Sequence, residues 1–210
     1  MKLRPTFLPL AFIATASLAS AQIVTYTIDG TINTVLHSNS PSGLGSVFTP
    51  GENFELKFTG DASSSPSFSL PILGLYAFDL TSGQITAGST TFTFDSSSLG
   101  LSQDLGTTFL SFGGFVSSPA FTLTATLGSF DDLYPAGAFP STLPAFSAFN
   151  LSNQFTLEEF SQIRGNLEAF GKITSIDVST SSPVPEPSSY ALIGAGVLGL
   201  GAVLRRRRAV

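Results

Sequence analysis

The stretch that decides the fold is FTLTATL, residues 121–127, in which apolar side chains alternate with threonine. Alternation with a period of two places successive side chains on opposite faces of a β-strand. The stretch therefore predicts a strand with one buried face and one solvated face. Threonine and phenylalanine are both favoured in strands, which supports the same interpretation.

The same alternation recurs along the chain, at residues 54–59, 76–80 and 91–95, and at both ends of the body, at residues 24–29 and 176–178. Clusters of Ser, Gly, Asn and Pro at residues 38–45, 63–67, 96–106 and 117–119 predict the turns between strands. Seven to nine short strands with half-polar faces pack best as two antiparallel sheets. We therefore predict an all-β body, an antiparallel β-sandwich of jelly-roll-like type.

Residues 131–164 are the least strand-like part of the body. Three prolines within residues 131–148 predict a long surface loop. Residues 156–159, TLEE, have the spacing of a helix capping box, which predicts a short helix from about residue 157 to residue 164, with a strand as the alternative. Residues 167–179 return to strand, and Gly171 marks a bulge.

Composition limits the function of the body. Residues 22–182 have the length of one domain with a real core, and they contain no cysteine, which excludes disulfides, thiol chemistry and thiolate metal sites. The same residues include three basic and thirteen acidic side chains, a net charge of −10. Because phosphate binding needs clustered Lys and Arg, no nucleic-acid partner is expected.

The N-terminus has the pattern of a secretory signal peptide, residues 1–21. Lys2 and Arg4 precede an apolar run at residues 7–18, and the small residues Ala19 and Ala21 mark a cleavage site before Gln22. The pattern implies passage through the Sec export machinery. The alternative, an N-terminal membrane anchor, is disfavoured because the apolar run is too short to span a bilayer.

The C-terminus, residues 183–210, has three parts: a polar spacer at 183–189, an uncharged apolar run at 190–204, and a basic tail at 205–210. A helix over the apolar run rises about 22 Å against a hydrocarbon core of about 30 Å, so we predict one short transmembrane helix. The basic tail contains consecutive arginines (Arg205, Arg206, Arg207 and Arg208), which keep it cytoplasmic and leave the body on the other side. Ala191, Ala195 and Gly199 indicate either helix docking or the usual glycine content of such helices.

Pro185 and Pro187 hold Glu186 in an extended peptide just outside the membrane. This Pro-Glu-Pro segment, followed by the apolar helix and the arginine cluster, resembles the PEP-CTERM sorting signal of Gram-negative bacteria. The resemblance covers about 28 of the 210 residues. It implies cutting by exosortase, a membrane-embedded cysteine protease, after transient inner-membrane anchoring, and delivery to the cell surface or its polysaccharide matrix. An ordinary tail anchor behind a proline linker is the alternative.

Candidate residues for chemistry are few. His37 is the single histidine and lies in a polar loop. The adjacent pairs Asp131 with Asp132 and Glu158 with Glu159 diverge in either helix or strand; with Asp104, the first pair offers at most a loose Ca²⁺ site. Tyr134 is the one candidate sugar platform, and the threonines of residues 91–93 and 122–126 form at most a hydroxyl array. No catalytic residue, metal site or cofactor is therefore assigned.

These observations favour a non-enzymatic, exported envelope or matrix protein with a structural or adhesive role alongside extracellular polysaccharide. Two alternatives stay open. One is a glycan-binding module or polysaccharide hydrolase, which needs convergent carboxylates or exposed tyrosine. The other is a single-pass envelope protein that keeps its tail.

Overall fold

The computed structural model describes residues 22–36, 42–104, 106–159 and 167–181. The predicted signal peptide, the spacer, the tail helix and the arginine cluster lie outside these residues. Within them no helix is long and apolar enough to cross a membrane. The described chain forms eleven strands: β1 (Ile23–Leu36), β2 (Asn53–Asp61), β3 (Phe68–Leu70), β4 (Leu75–Asp79), β5 (Ser82–Ala87), β6 (Thr90–Thr93), β7 (Ser96–Asp104), β8 (Thr107–Ser117), β9 (Ala120–Ser129), β10 (Ser152–Glu159) and β11 (Glu168–Ser181).

All pairs of neighbouring strands are antiparallel, which confirms the predicted all-β, antiparallel body. The strands follow the order β3-β4-β7-β8-β9-β10-β11-β1-β2-β5-β6 in one continuous sheet. The described residues therefore do not form the two separate sheets that the prediction of a β-sandwich implied. Instead, one sheet curls until its two halves face each other.

The inner face of the curled sheet holds the hydrophobic core. Tyr26 of β1 and Phe112 of β8 are far apart in strand order, yet their ring centroids lie 4.9 Å apart at 62°. Phe58 of β2 contacts the same Phe112 ring at 5.4 Å. The apolar positions of residues 121–127 are all buried, as the alternation predicted. The core is therefore an aromatic layer between the two halves of the sheet.

Two crossings of the chain tie the ends of the sheet together. Between β4 and β5, the Leu80 N–H donates to Ser97 O at 3.0 Å and the Thr81 N–H donates to Thr59 O at 2.8 Å. Between β6 and β7, Phe94 bonds to Gly83 of β5, and Asp95 bonds to Phe115 of β8. These bonds pair backbone groups at the two points where the chain passes from one end of the sheet to the other.

The segment between β9 and β10, residues 130–151, is the covering loop. It contains only one short 3-10 turn, Phe146–Ala148, so the predicted absence of strands is confirmed. It does not merely run over the surface, because Phe139, Pro140 and Phe149 are buried. Phe139 packs edge-on against Phe78 at 5.2 Å, so the loop closes an open corner of the core.

Two local predictions were wrong. Residues 157–159 of the predicted helix belong to β10, the alternative that the pattern left open, and residues 160–164 lie outside the described residues. β10 is a strand because it pairs with β9 on one side and β11 on the other, which outweighs a local capping pattern. The serine-rich cluster at residues 96–106 is β7 up to Asp104 rather than a turn, since β4 and β8 pair with it.

The predicted irregularity at Gly171 is present, but the extra residue is on the opposite strand. Ile32 pairs with Gly171 and Thr34 pairs with Phe170, so Asn33 of β1 has no partner in β11. A second shift leaves Thr174 of β11 unpaired opposite Asp29 and Gly30. Bulges of this kind bend a strand and re-aim its side chains.

Candidate functional site

The predicted sorting and cleavage residues lie mostly outside the described residues: Pro185, Glu186, Pro187, Arg205, Arg206, Arg207, Arg208, Ala19 and Ala21. Gln22 is the first described residue; it is exposed, and its carbonyl accepts a hydrogen bond from Ala62 N at 2.9 Å. β1 starts at the next residue, and Ile23 pairs with Ser181 at the end of β11. The two ends of the body therefore leave from neighbouring positions.

The paired carboxylates do not converge. Glu158 is exposed on the outer face of β10, whereas the Glu159 side chain is buried on the inner face and accepts a bond from Leu167 N at 3.3 Å. Asp104, Asp131 and Asp132 are exposed at strand ends and the start of the covering loop. No group of three His, Cys, Asp or Glu side chains suited to a metal occurs in the described ranges. His37 lies outside them.

Tyr134 is not an exposed sugar platform. Its hydroxyl oxygen is buried, and its carbonyl accepts a hydrogen bond from Gln103 Nε2. Burial raises the pKa of the Tyr134 hydroxyl. Burial also raises the pKa of Tyr26, with a smaller contribution from the neighbouring Tyr134. The two tyrosines therefore belong to the seam between the core and the covering loop, where Tyr26 donates to Pro140 O at 2.6 Å.

The threonine rows lie on the outer face of the sheet, as the alternation predicted. In β9, Thr124 is exposed and pairs with Thr156 of β10, while Thr126 pairs with Gln154. Elsewhere the Thr86 and Thr91 hydroxyls lie 2.9 Å apart. The β9 row continues into a row of polar side chains on β10 and β11.

A polar groove of about 550 Å³ crosses this outer face where β10, β11 and β1 meet. Its floor and sides include the exposed edge of Phe170 and the side chains of Lys172 and Gln154. The start of β10 and the end of the covering loop form one wall. The lining residues are Asn33, Thr34, Phe149, Asn150, Leu151, Ser152, Asn153, Gln154, Phe155, Thr156, Phe170, Gly171 and Lys172.

Local sequence explains why these side chains face outward. In β11, Ala169 and Ile173 are buried, so the alternating positions Phe170 and Lys172 point to solvent. Our sequence reasoning missed them because it treated phenylalanine as core. The sequence did contain a sign of this: Phe170 falls on the positions of its strand that alternate with the inward-facing residues, which predicts an outward-facing ring.

Comparison with known proteins identifies the C-terminal segment. Residues 183–208 match the family model of the PEP-CTERM protein-sorting motif, which confirms the resemblance found in the spacer, apolar run and arginine cluster. No significant match was found among curated proteins or among solved structures. The body, residues 22–182, is outside the matched segment.

Proposed function

Because residues 183–208 carry a PEP-CTERM protein-sorting motif, which implies exosortase-dependent sorting of an exported, cell-surface-directed protein, we propose a complete route for this chain. A signal peptide of residues 1–21 starts export through the Sec machinery. A helix over residues 190–204 then holds the protein in the inner membrane with the body outside the cytoplasm. Exosortase cuts near Pro185, Glu186 and Pro187, and the body passes to the cell surface or extracellular matrix.

The extent of the last strand supports this route. β11 ends at Ser181, where it pairs with Ile23, and the motif begins two residues later. A cut at residues 185–187 therefore removes no described strand and no described core residue. All the described strands and core residues therefore stay with the body after such a cut, which supports removal of the motif as a sorting signal.

The role that we propose for the released body is structural or adhesive and non-enzymatic, in association with extracellular polysaccharide. Two observations support this role: the Tyr134 hydroxyl is buried, and the described residues contain no group of three His, Asp or Glu side chains suited to a metal. The facing halves of the curled sheet would act as the two layers of a jelly-roll-like sandwich. An outer surface rich in Ser and Thr suits a hydrated matrix.

The test is to replace Pro185, Glu186 and Pro187 together with Ala, Gln and Ala in the full-length gene. Strains with and without exosortase are compared by mass spectrometry of both protein ends and by cell fractionation. We expect the unmodified protein to start at Gln22 and to lose its arginine cluster only when exosortase is present. The variant should retain the cluster and stay in the membrane fraction.

Pro183→Ala is the matched control, because it changes a proline of the same spacer outside the Pro-Glu-Pro segment. It should be processed like the unmodified protein. Normal processing of the triple variant would overturn the proposed route. An intact tail in mature protein from the exosortase strain would instead support the permanently anchored alternative.

A further inference from the structure

We propose that the groove across β10, β11 and β1 is a binding site for an uncharged polysaccharide. The inference rests on the proposed association with extracellular polysaccharide and names the surface responsible. Phe170 is the stacking platform, and the amide, hydroxyl and ammonium groups around it provide the hydrogen bonds.

Phe170 has the geometry of a platform. It lies on the outer face of β11 and is 38% exposed, although its side chain is large and apolar. Its cross-strand neighbours are Thr156 of β10 and Thr34 of β1. A ring flanked by hydroxyls suits a pyranose, whose C–H face packs on an aromatic ring while its hydroxyls reach outward to polar groups.

The next outward position along the strand supplies the hydrogen bonds. Lys172 lies roughly 7 Å along β11 from Phe170, the spacing of alternate residues in a strand. It pairs with Gln154 on one side and Thr31 on the other. In the described part of the chain Lys172 has no ion-pair partner, whereas Lys57 is bound to Glu55 at 2.6 Å. Its ammonium group is therefore free to donate to sugar oxygens.

The wall of the groove contains an acceptor that needs a donor. Asn153 Nδ2 donates to Phe149 O at 2.7 Å, but Asn153 Oδ1 is buried and has no hydrogen-bond partner among the described residues. Buried polar atoms are usually paired, so we expect an ordered water to donate to this oxygen and to pass a hydrogen bond on to a ligand hydroxyl. At the opposite side the bulge presents Asn33, which is exposed and free of the β1–β11 ladder.

Charge selects the class of polysaccharide. The body has a net charge of −10, so it repels polyanions such as uronic-acid polymers at low ionic strength. The groove itself is lined by no Asp or Glu side chain. Without carboxylates the groove has no acid–base pair for hydrolysis of a glycosidic bond. The missing carboxylates therefore predict binding without cleavage. The net charge of the whole body outweighs the single cation of the groove, Lys172, and predicts a neutral chain.

The experiment is affinity electrophoresis and titration calorimetry with the purified full-length protein in mild detergent. The probes are three neutral polysaccharides (dextran, galactomannan and xylan) and one anionic polysaccharide, alginate. We compare the unmodified protein with Phe170→Ala, Lys172→Met and Gln154→Ala. The matched controls are Phe68→Ala, at a 52% exposed phenylalanine on the edge strand β3, and Lys57→Met.

We expect binding to at least one neutral probe, with Kd raised about tenfold or more by Phe170→Ala, since removal of one well-placed aromatic contact is of that order. Lys172→Met and Gln154→Ala should each raise Kd about threefold to tenfold, the effect of one hydrogen bond. Both controls should bind like the unmodified protein. Circular dichroism and urea unfolding confirm that each variant is folded.

Absence of binding to all neutral probes, stronger binding to alginate, or equal loss in the Phe68→Ala control would each overturn the groove proposal. The tail of every variant is analysed in parallel in the exosortase strain. Normal processing with no glycan binding rejects only the groove. Glycan binding with an unprocessed tail rejects only the proposed sorting route.

Discussion

The hydroxyl of Tyr26 provides a sharp test of how the covering loop is held to the core. The side chain is fully buried in the middle of β1, and its hydroxyl donates to Pro140 O at 2.6 Å. Its ring packs against Phe112 at 4.9 Å and Phe139 at 6.3 Å. The substitution Tyr26→Phe keeps the ring and removes only the donor, so Pro140 O loses this hydrogen bond in a buried position.

Loss of one partner from a buried hydrogen bond costs about 1–3 kcal/mol, and we take about 1.5 kcal/mol because the loop can relax slightly. A body of this size has an m-value in urea of about 2 kcal/mol/M, so the midpoint should fall by about 0.7 M. The assay is equilibrium urea unfolding at pH 7, followed by circular dichroism. Tyr76→Phe is the matched control, because the Tyr76 hydroxyl makes no hydrogen bond within the described residues.

The difference in unfolding free energy between the unmodified protein and Tyr26→Phe is expected to change at alkaline pH. Burial, and then the neighbouring Tyr134, raise the pKa of folded Tyr26 above the value of about 10 in the unfolded chain. The contribution of the buried hydroxyl to stability is thus fully present below about pH 10. Above that pH it falls by about 1.4 kcal/mol per pH unit, because the unfolded chain ionises and the folded protein does not. The difference in stability between unmodified protein and Tyr26→Phe should therefore shrink towards zero near pH 11.

Three results would refute this reasoning. An unchanged urea midpoint in Tyr26→Phe would mean that the bond to Pro140 contributes nothing. A stability difference that stays constant or grows between pH 9 and pH 11 would mean that Tyr26 ionises as easily in the folded protein as in the unfolded chain. A fall in Tyr76→Phe as large as that in Tyr26→Phe would show that ring environment, not the hydrogen bond, is responsible.

Three further predictions concern stability. Gly30→Ala should lower the free energy of unfolding by about 1–3 kcal/mol, because a Cβ would lie 2.6 Å from Lys172 O and 2.3 Å from the Phe54 ring. The measurement is urea unfolding. Gly100→Ala is the control that should be tolerated, since the atom nearest to its Cβ would be 3.6 Å away. Phe48→Ala should cost about 3–5 kcal/mol, since the buried ring contacts Phe92 and Phe121, and a loss below 1 kcal/mol would contradict this packing. Hydrogen bonds from the Ser63 hydroxyl and N–H lower the pKa of Asp61, so its contribution to stability is present above about pH 4 and is lost as the pH falls. Asp61→Asn should therefore flatten the acid limb of a curve of unfolding free energy against pH, and an unchanged acid limb would contradict this.

The strands that could be predicted are those whose pattern is local. Residues 24–29, 54–59 and 121–127 alternate so regularly that the inward positions are buried in the structure, as expected. β7 could not be predicted in the same way, because serine and glycine favour turns and strand pairing with β4 and β8 decides the outcome. β10 was missed for a related reason: Glu159, which suggested a capping box, is instead buried beside Leu167.

The candidate groove shows the limit of local pattern most clearly. Asn33, Asn153 and Phe170 come from three strands and are separated by more than a hundred residues at the widest. Their meeting depends on the register of β10, β11 and β1 and on the bulge at Asn33. No sequence interval specifies that register, since it is set by the burial of one whole face of each strand against the core.

The sequence alone was sufficient for the class of fold and for the sorting motif, and the reason is the same in both cases. Alternation is a property of neighbouring residues, and the PEP-CTERM motif is a contiguous segment, residues 183–208, whose order of proline, apolar and arginine parts is itself the signal. Only the tertiary structure decided that the strands form one curled sheet, that the covering loop closes its core, and that polar side chains of β10, β11 and β1 meet in a groove. These features arise from contacts between distant parts of the chain, whose free energy depends on how all the faces pack together.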